Sequence, residues 1–249
     1  MTTRRAFIRT LVGGLLAAPL AAEAQPAGKT ARLCFLTFDP PQAVRFNPFF
    51  HRLRDLGYVD GQTITIDYLS AEGQGERFPT LAAECLRRKA DIIVVTTTPA
   101  AQASKSATGT IPIVMMALGD PVGTGLVATL ARPGRNVTGQ TSMSSGLAAK
   151  RLALLKEAAP RVSRVLVLSY PVDPNAAVQV KELANAARSL GVKLLVQDIR
   201  TADDLPAAFD AGAKGSAEGL VTTSASIFVA ERKRVVELAT QHKLPALYP

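Results

Sequence analysis

Small hydroxyl and acidic side chains gather in a few short phrases, each set between an apolar run and a helix-like stretch. Thr96-Thr97-Thr98-Pro99-Ala100 is the first, and Gly119-Asp120-Pro121-Val122-Gly123-Thr124-Gly125 the second. Tyr170-Pro171-Val172-Asp173-Pro174-Asn175 and Thr222-Thr223-Ser224 hold equivalent places further along the chain. Hydroxyls and free backbone N–H groups at such points suit a ligand carboxylate or carbonyl, and an aspartate suits a ligand ammonium. Thr97, Thr98 and Asp120 are the candidate binding residues of the first half; Tyr170, Asp173, Asn175 and Ser224 are those of the second. Local roles compete, since Thr98 or Asp120 can equally serve as an N-cap for the stretch that follows it. The chemistry on offer is binding, not turnover.

Other chemistries lack their residues. The glycines of the second phrase make neither G-x-x-x-x-G-K-[ST] nor G-x-G-x-x-G, and no G-x-S-x-G elbow occurs. His51 and His242 lie far apart, each in a helix-like segment, so no cluster of metal ligands forms. Asp203-Asp204 opens a helix, where negative charge suits the dipole. Cys34 and Cys85 read as buried small hydrophobes, although an oxidising compartment leaves a disulfide between them open. No catalytic residue, cofactor or metal is expected.

The elements that must position the hydroxyl phrases alternate between strand and helix. Ala31–Thr37 reads as a strand, and Asn47–Leu56 as a helix closed by Gly57 in the left-handed region. Thr63–Tyr68 alternates with period two, as an edge or half-buried strand does. Glu76–Lys89 is a helix with Leu81, Cys85 and Leu86 on one face, and Asp91–Val95 an apolar strand buried on both sides. A helix over Ala100–Ala107, a strand at Ile111–Met116, a helix at Val122–Leu130 and a strand at Val137–Gln140 complete a parallel α/β unit.

The second half repeats the first. Arg54-Asp55-Leu56-Gly57 recurs as Arg188-Ser189-Leu190-Gly191, and Asp91–Thr97 as Glu218–Ser224. Ile111-Pro112-Ile113-Val114 recurs as Leu244-Pro245-Ala246-Leu247. The fold class is therefore α/β, with two doubly wound parallel-sheet lobes over 25–142 and 143–249 and a hinge near Thr141–Gly146. The chain stops two residues past the last repeated strand, so the second lobe is expected to be incomplete. An unfinished lobe would leave a sheet edge unpaired, with lower stability and weak or no ligand binding.

Residues 1–24 read as an export signal. Arg4-Arg5-Ala6-Phe7-Ile8 precedes an apolar run from Leu11 to Ala22, and Ala22-Glu23-Ala24 offers a small-x-small cleavage site. That run is too short for a spanning helix, so no stable membrane insertion of the mature chain is expected. The paired arginines fit the twin-arginine export route, with an ordinary secretory signal as the alternative. The net charge of +9 stays positive after cleavage, but 5% aromatic content and an exported location argue against nucleic acid. Arg87-Arg88-Lys89 and Arg232-Lys233-Arg234 read instead as solvated helix faces.

These phrases carry a resemblance. Asp55-Leu56-Gly57-Tyr58-Val59-Asp60-Gly61-Gln62, Asp120-Pro121-Val122-Gly123-Thr124-Gly125-Leu126-Val127 and Arg132-Pro133-Gly134-Arg135-Asn136-Val137-Thr138-Gly139 resemble ABC transporter substrate-binding proteins of the tryptophan-binding-like group. The resemblance runs from about Ala31 to Pro249. It implies the type I periplasmic binding fold, a periplasmic location and ABC permease subunits as partners. It also implies a small polar ligand, such as an aromatic or other amino acid, and members that continue beyond this C-terminus. A ligand sensor docking on a membrane receptor is an alternative; a doubly wound enzyme is a weaker one.

Overall fold

A computed structural model of the chain describes residues 30–40, 44–142 and 144–249, and residues 1–24, read above as an export signal, lie outside them. β1 spans Ala31–Thr37 and is buried from Leu33 onward. It pairs in parallel with β2 (Ile64–Ser70) on one side and β3 (Ile92–Val95) on the other. β4 (Ile113–Leu118) and β5 (Val137–Thr141) extend the sheet to the order β2-β1-β3-β4-β5. The second sheet is built from β6 (Arg164–Ser169), β7 (Lys193–Asp198), β8 (Gly219–Thr222) and β9 (Ala246–Leu247). Its order is β7-β6-β8-β9, again all parallel, so both sheets are wound in the same sequence of positions. The repeated phrases fall on equivalent strands.

The helices are α1 (Asn47–Asp55), α2 (Phe78–Arg87), α3 (Thr98–Ala107) and α4 (Ala148–Ala158), then α5 (Pro174–Leu190), α6 (Asp204–Lys214), α7 (Ser226–Ala230) and α8 (Arg232–Gln241). Gly57 follows α1 with φ of +88°, as expected of the residue that turns the chain out of the helix. α2 is shorter than the sequence pattern suggests. Gly75–Arg77 forms a 3-10 turn, and Pro79 fits only the first turn of the helix behind it.

The helix expected at Val122–Leu130 does not form. This stretch folds back on itself, with the Leu126 and Val127 amides both donating to the Pro121 carbonyl and Gly125 at φ +69°. Gln102 and Lys105 of α3 donate to the carbonyls of Thr124, Gly125 and Leu126, taking the place of helical hydrogen bonds. Gly123 and Gly125 weaken the helix, while buried Leu126 and Val127 pin the loop to the core.

One apolar core joins the sheets. Leu36, Phe38 and Ile93 from the first half share it with Leu166, Leu168, Tyr170 and Phe209 from the second. Phe38 and Tyr170 meet edge to face, with ring centroids 6.1 Å apart. Both sheets accordingly belong to a single compact unit, Ala31–Pro249. The reading of Cys34 and Cys85 as free hydrophobes is corrected: they form a disulfide that ties β1 to α2. Both are fully enclosed, and the helix packs close enough to bring their Cα atoms to 5.7 Å. Gly139 sits at φ +140° where β5 meets β4, and a Cβ there would lie 2.2 Å from the Met115 carbonyl oxygen. Only glycine permits that approach.

Candidate functional site

The carboxyl ends of the central strands and the helix N-termini behind them face a cavity of about 700 Å³. Its polar lining comes from both halves of the chain. Thr96, Thr97 and Thr98 lead from β3 into α3, and Thr222, Thr223 and Ser224 end β8. Ser142 and Ser144 contribute from the connection between the sheets, and Asp173 from the start of α5. Apolar lining comes from Phe228 and Val229 of α7, Val235 and Val236 of α8, and Tyr248. Arg45 and Arg232 also line it. Arg45 pairs with the buried carboxylate of Asp39 and lies over the Phe46 ring, 4.7 Å from its centroid. Arg232, read from sequence as part of a solvated face, is exposed at the cavity and donates to the Val229 carbonyl at 3.1 Å.

Four of the seven residues singled out from sequence, Thr97, Thr98, Asp173 and Ser224, line this cavity. Thr97, rather than Thr98, caps α3, its hydroxyl accepting from the Ala100 amide at 3.3 Å. Thr98 is left to bridge the two halves: its Oγ1 accepts from Asn175 Nδ2 at 2.7 Å. The same amide donates to Asp173 Oδ1 at 3.0 Å, and Asn175 Oδ1 accepts from the Asp120 amide at 3.0 Å. Asn175 is thus a buried link between first-half and second-half residues, standing behind the cavity wall.

Asp120 and Tyr170 lie outside the lining as well. The Asp120 carboxylate accepts from the amides of Val122 and Gly123 and so caps its own turn. Tyr170 is buried with its hydroxyl against Gly75, where a Cβ would come within 2.3 Å. Burial pushes its phenol up to about 12. Asp173 caps α5 by accepting from the Asn175 amide at 2.9 Å. Burial raises its carboxyl to about 6, against the opposing pull of the hydrogen bonds from Asn175.

Several site residues escape sequence reasoning. Arg45 has no flanking signal, because its partner Asp39 belongs to a different local element. Arg151, outside the lining but bonded to Ser224, offered one: it sits three residues after Ala148 and four before Leu155, on the buried stripe of α4. Thr222 and Thr223 belonged to a recognised phrase, yet their hydroxyls are fully buried and have no hydrogen-bond partner among the described residues. Among those residues no group of three or more His, Cys, Asp or Glu is placed to hold a metal ion, and no helix is long and apolar enough to cross a membrane.

Known proteins share this architecture. A tyrosine-binding protein of Clostridioides difficile is 31% identical over 199 residues, covering 80% of this chain and 57% of its own length. The chain thus spans little more than half of that relative. The crystal structure of a conserved domain protein from Vibrio cholerae superposes with a TM-score of 0.78 at 29% identity, covering 88% of this chain and 74% of that one. An ABC domain from Streptococcus pneumonia, crystallised in complex with L-Trp, gives a TM-score of 0.74 at 24% identity over the same shares. The two sheets, wound alike, are those of the type I periplasmic binding fold. The family model for ABC transporter substrate binding proteins matches residues 43–249. The chain belongs to the family of ABC transporter substrate-binding proteins.

Proposed function

We propose that this chain is an exported receptor that captures an amino acid with an apolar side chain and delivers it to an ABC importer. The observation that carries the reading is the mixed lining of the cavity: the hydroxyls and Asp173 together with Phe228, Val229, Val236 and Tyr248. An amino acid offers both matching parts, a charged head and an apolar body. The relative named a tyrosine-binding protein supports the same class. In this reading lobes 25–142 and 143–249 close over the ligand in the periplasm, and ABC permease subunits are the partners. Thr97, Thr98, Asp173 and Ser224 contact the ligand, with the ammonium at Asp173. Asn175, Asp120 and Tyr170 transmit closure through the contacts between halves.

Calorimetric titration with L-tyrosine, L-tryptophan, L-phenylalanine and L-leucine tests this. The chain contains no Trp, so indole fluorescence during the tryptophan titration belongs almost wholly to the ligand. At least one of the four is expected to bind at neutral pH. Affinity is expected to fall once the pH drops below about 6, because a protonated Asp173 no longer attracts the ammonium. Absence of binding by all four overturns the assignment of ligand class.

A further inference from the structure

A second cavity, of about 280 Å³, lies on the first half and shares no lining residue with the one above. Phe50 and Arg54 of α1 line it, with Ile66 and Tyr68 of the edge strand β2 and Tyr58 and Asp60 of the turn that joins them. That volume is near the lower end for ligand sites and holds one small molecule.

The aromatic lining is fixed from behind. Phe35, wholly buried on β1, packs on Phe50 and Tyr68 with ring centroids 4.9 Å and 5.3 Å away, and those two rings lie 6.1 Å apart. The turn is fixed as well. The Tyr58 amide donates to the Leu53 carbonyl at 2.9 Å, and the Thr63 hydroxyl accepts from the Val59 amide and donates to the Gly57 carbonyl. Asp60 Oδ1 accepts from the Ile66 amide at 2.8 Å, which orients the carboxylate. Surfaces held in this way lose little freedom when a ligand arrives.

Charge decides the class of ligand. Arg54 and Asp60 are both exposed residues of this lining, yet among the described residues neither forms an ion pair, with the other or elsewhere. Rings beside a carboxylate alone would suit an organic cation, but the guanidinium of Arg54 opposes one. One free charge of each sign together with three rings matches a zwitterion that carries an aromatic group.

We infer that this cavity is an accessory site for a zwitterionic aromatic amino acid. Arg54 takes the carboxylate, Asp60 the ammonium, and Phe50, Tyr58 and Tyr68 the ring. The inference stands on this cavity alone and is independent of the reading given to the first.

Methyl NMR of the chain separates the two cavities, because Ile66 lines only the second and Val236 only the first. L-Tryptophan should shift the Ile66 methyl signals saturably, with half-saturation at about 1 mM or below. Arg54→Glu and Asp60→Asn should each raise that concentration by about fivefold or more, while the Val236 response moves by less than about twofold. Asp60→Asn keeps an acceptor for the Ile66 amide, and the Arg54 side chain has no hydrogen-bond or ion-pair partner to lose among the described residues, so both variants should fold. Tryptamine and indole-3-propionate, each lacking one charge, should bind at Ile66 at least about fivefold more weakly. Ile66 signals unmoved by about 10 mM L-tryptophan overturn the inference, as do equal responses to the three compounds or unchanged responses in both variants. Ile66 shifts without Val236 shifts uphold it apart from the receptor reading; Val236 shifts without Ile66 shifts sink it and leave that reading standing.

Discussion

Asn175 spends its side chain on three hydrogen bonds, two of them to groups of the other half: the Thr98 hydroxyl and the Asp120 amide. Removing the amide leaves buried or half-buried polar groups unmatched, so Asn175→Ala is expected to destabilise the chain by about 2 kcal/mol. Gly119 supplies an independent check. A Cβ at Gly119 would lie 2.7 Å from Asn175 Cγ, so Gly119→Ala must displace that side chain and should cost about 1–2 kcal/mol. In an Asn175→Ala background the obstacle is gone, and Gly119→Ala should then change stability by less than about 0.5 kcal/mol. Urea unfolding of the four chains measures this cycle; additive effects would show that the two positions are not coupled as the geometry requires. Asn175 was legible from sequence as a polar residue at a helix start. Its reach across to Thr98 was not, because their separation of 77 residues is closed only by tertiary packing.

At the scale of elements, α2 is held to its sheet twice. Phe78, Ala82 and Cys85 bury one face of it, and the bond from Cys85 to Cys34 anchors it to β1. The bridge closes a separation of 51 residues, for which the loss of unfolded-chain entropy stabilises the native state by about 4 kcal/mol. Urea unfolding with and without a thiol reductant should show a drop of that order, and Cys34→Ala with Cys85→Ala should show it without reductant. Unchanged midpoints would mean the bridge adds nothing. Strands β1, β3 and β4 were readable because buried parallel strands are short apolar runs bounded by turn residues. The loop at 121–130 was misread for a matching reason. Val122, Leu126 and Leu130 recur every fourth residue as on a helix face, while the carbonyl partners that stabilise the folded-back form, Gln102 and Lys105, sit on α3. Periodicity does not register a partner supplied from elsewhere.

For the molecule as a whole, the reading as an exported receptor depends on residues 1–24, and the twin-arginine route on Arg4 and Arg5, all outside the described residues. Replacing both with Lys keeps the charge and should abolish appearance of the chain in the periplasmic fraction if the twin-arginine route is used. Undiminished export of that variant would return the segment to the ordinary secretory class. The disulfide gives the choice of route a further meaning. Cys34 and Cys85 are wholly enclosed, and thiol–disulfide exchange needs an attacking sulfur to reach its target. A chain that crosses the membrane unfolded meets its oxidants while both thiols are open, and the bridge forms as the core closes. A chain that folds first, among cytosolic reductants, crosses with the two thiols already sealed in the core. It then becomes oxidised only as often as α2 lifts from the sheet, so the lag between arrival and oxidation is a clock for the opening of the first half.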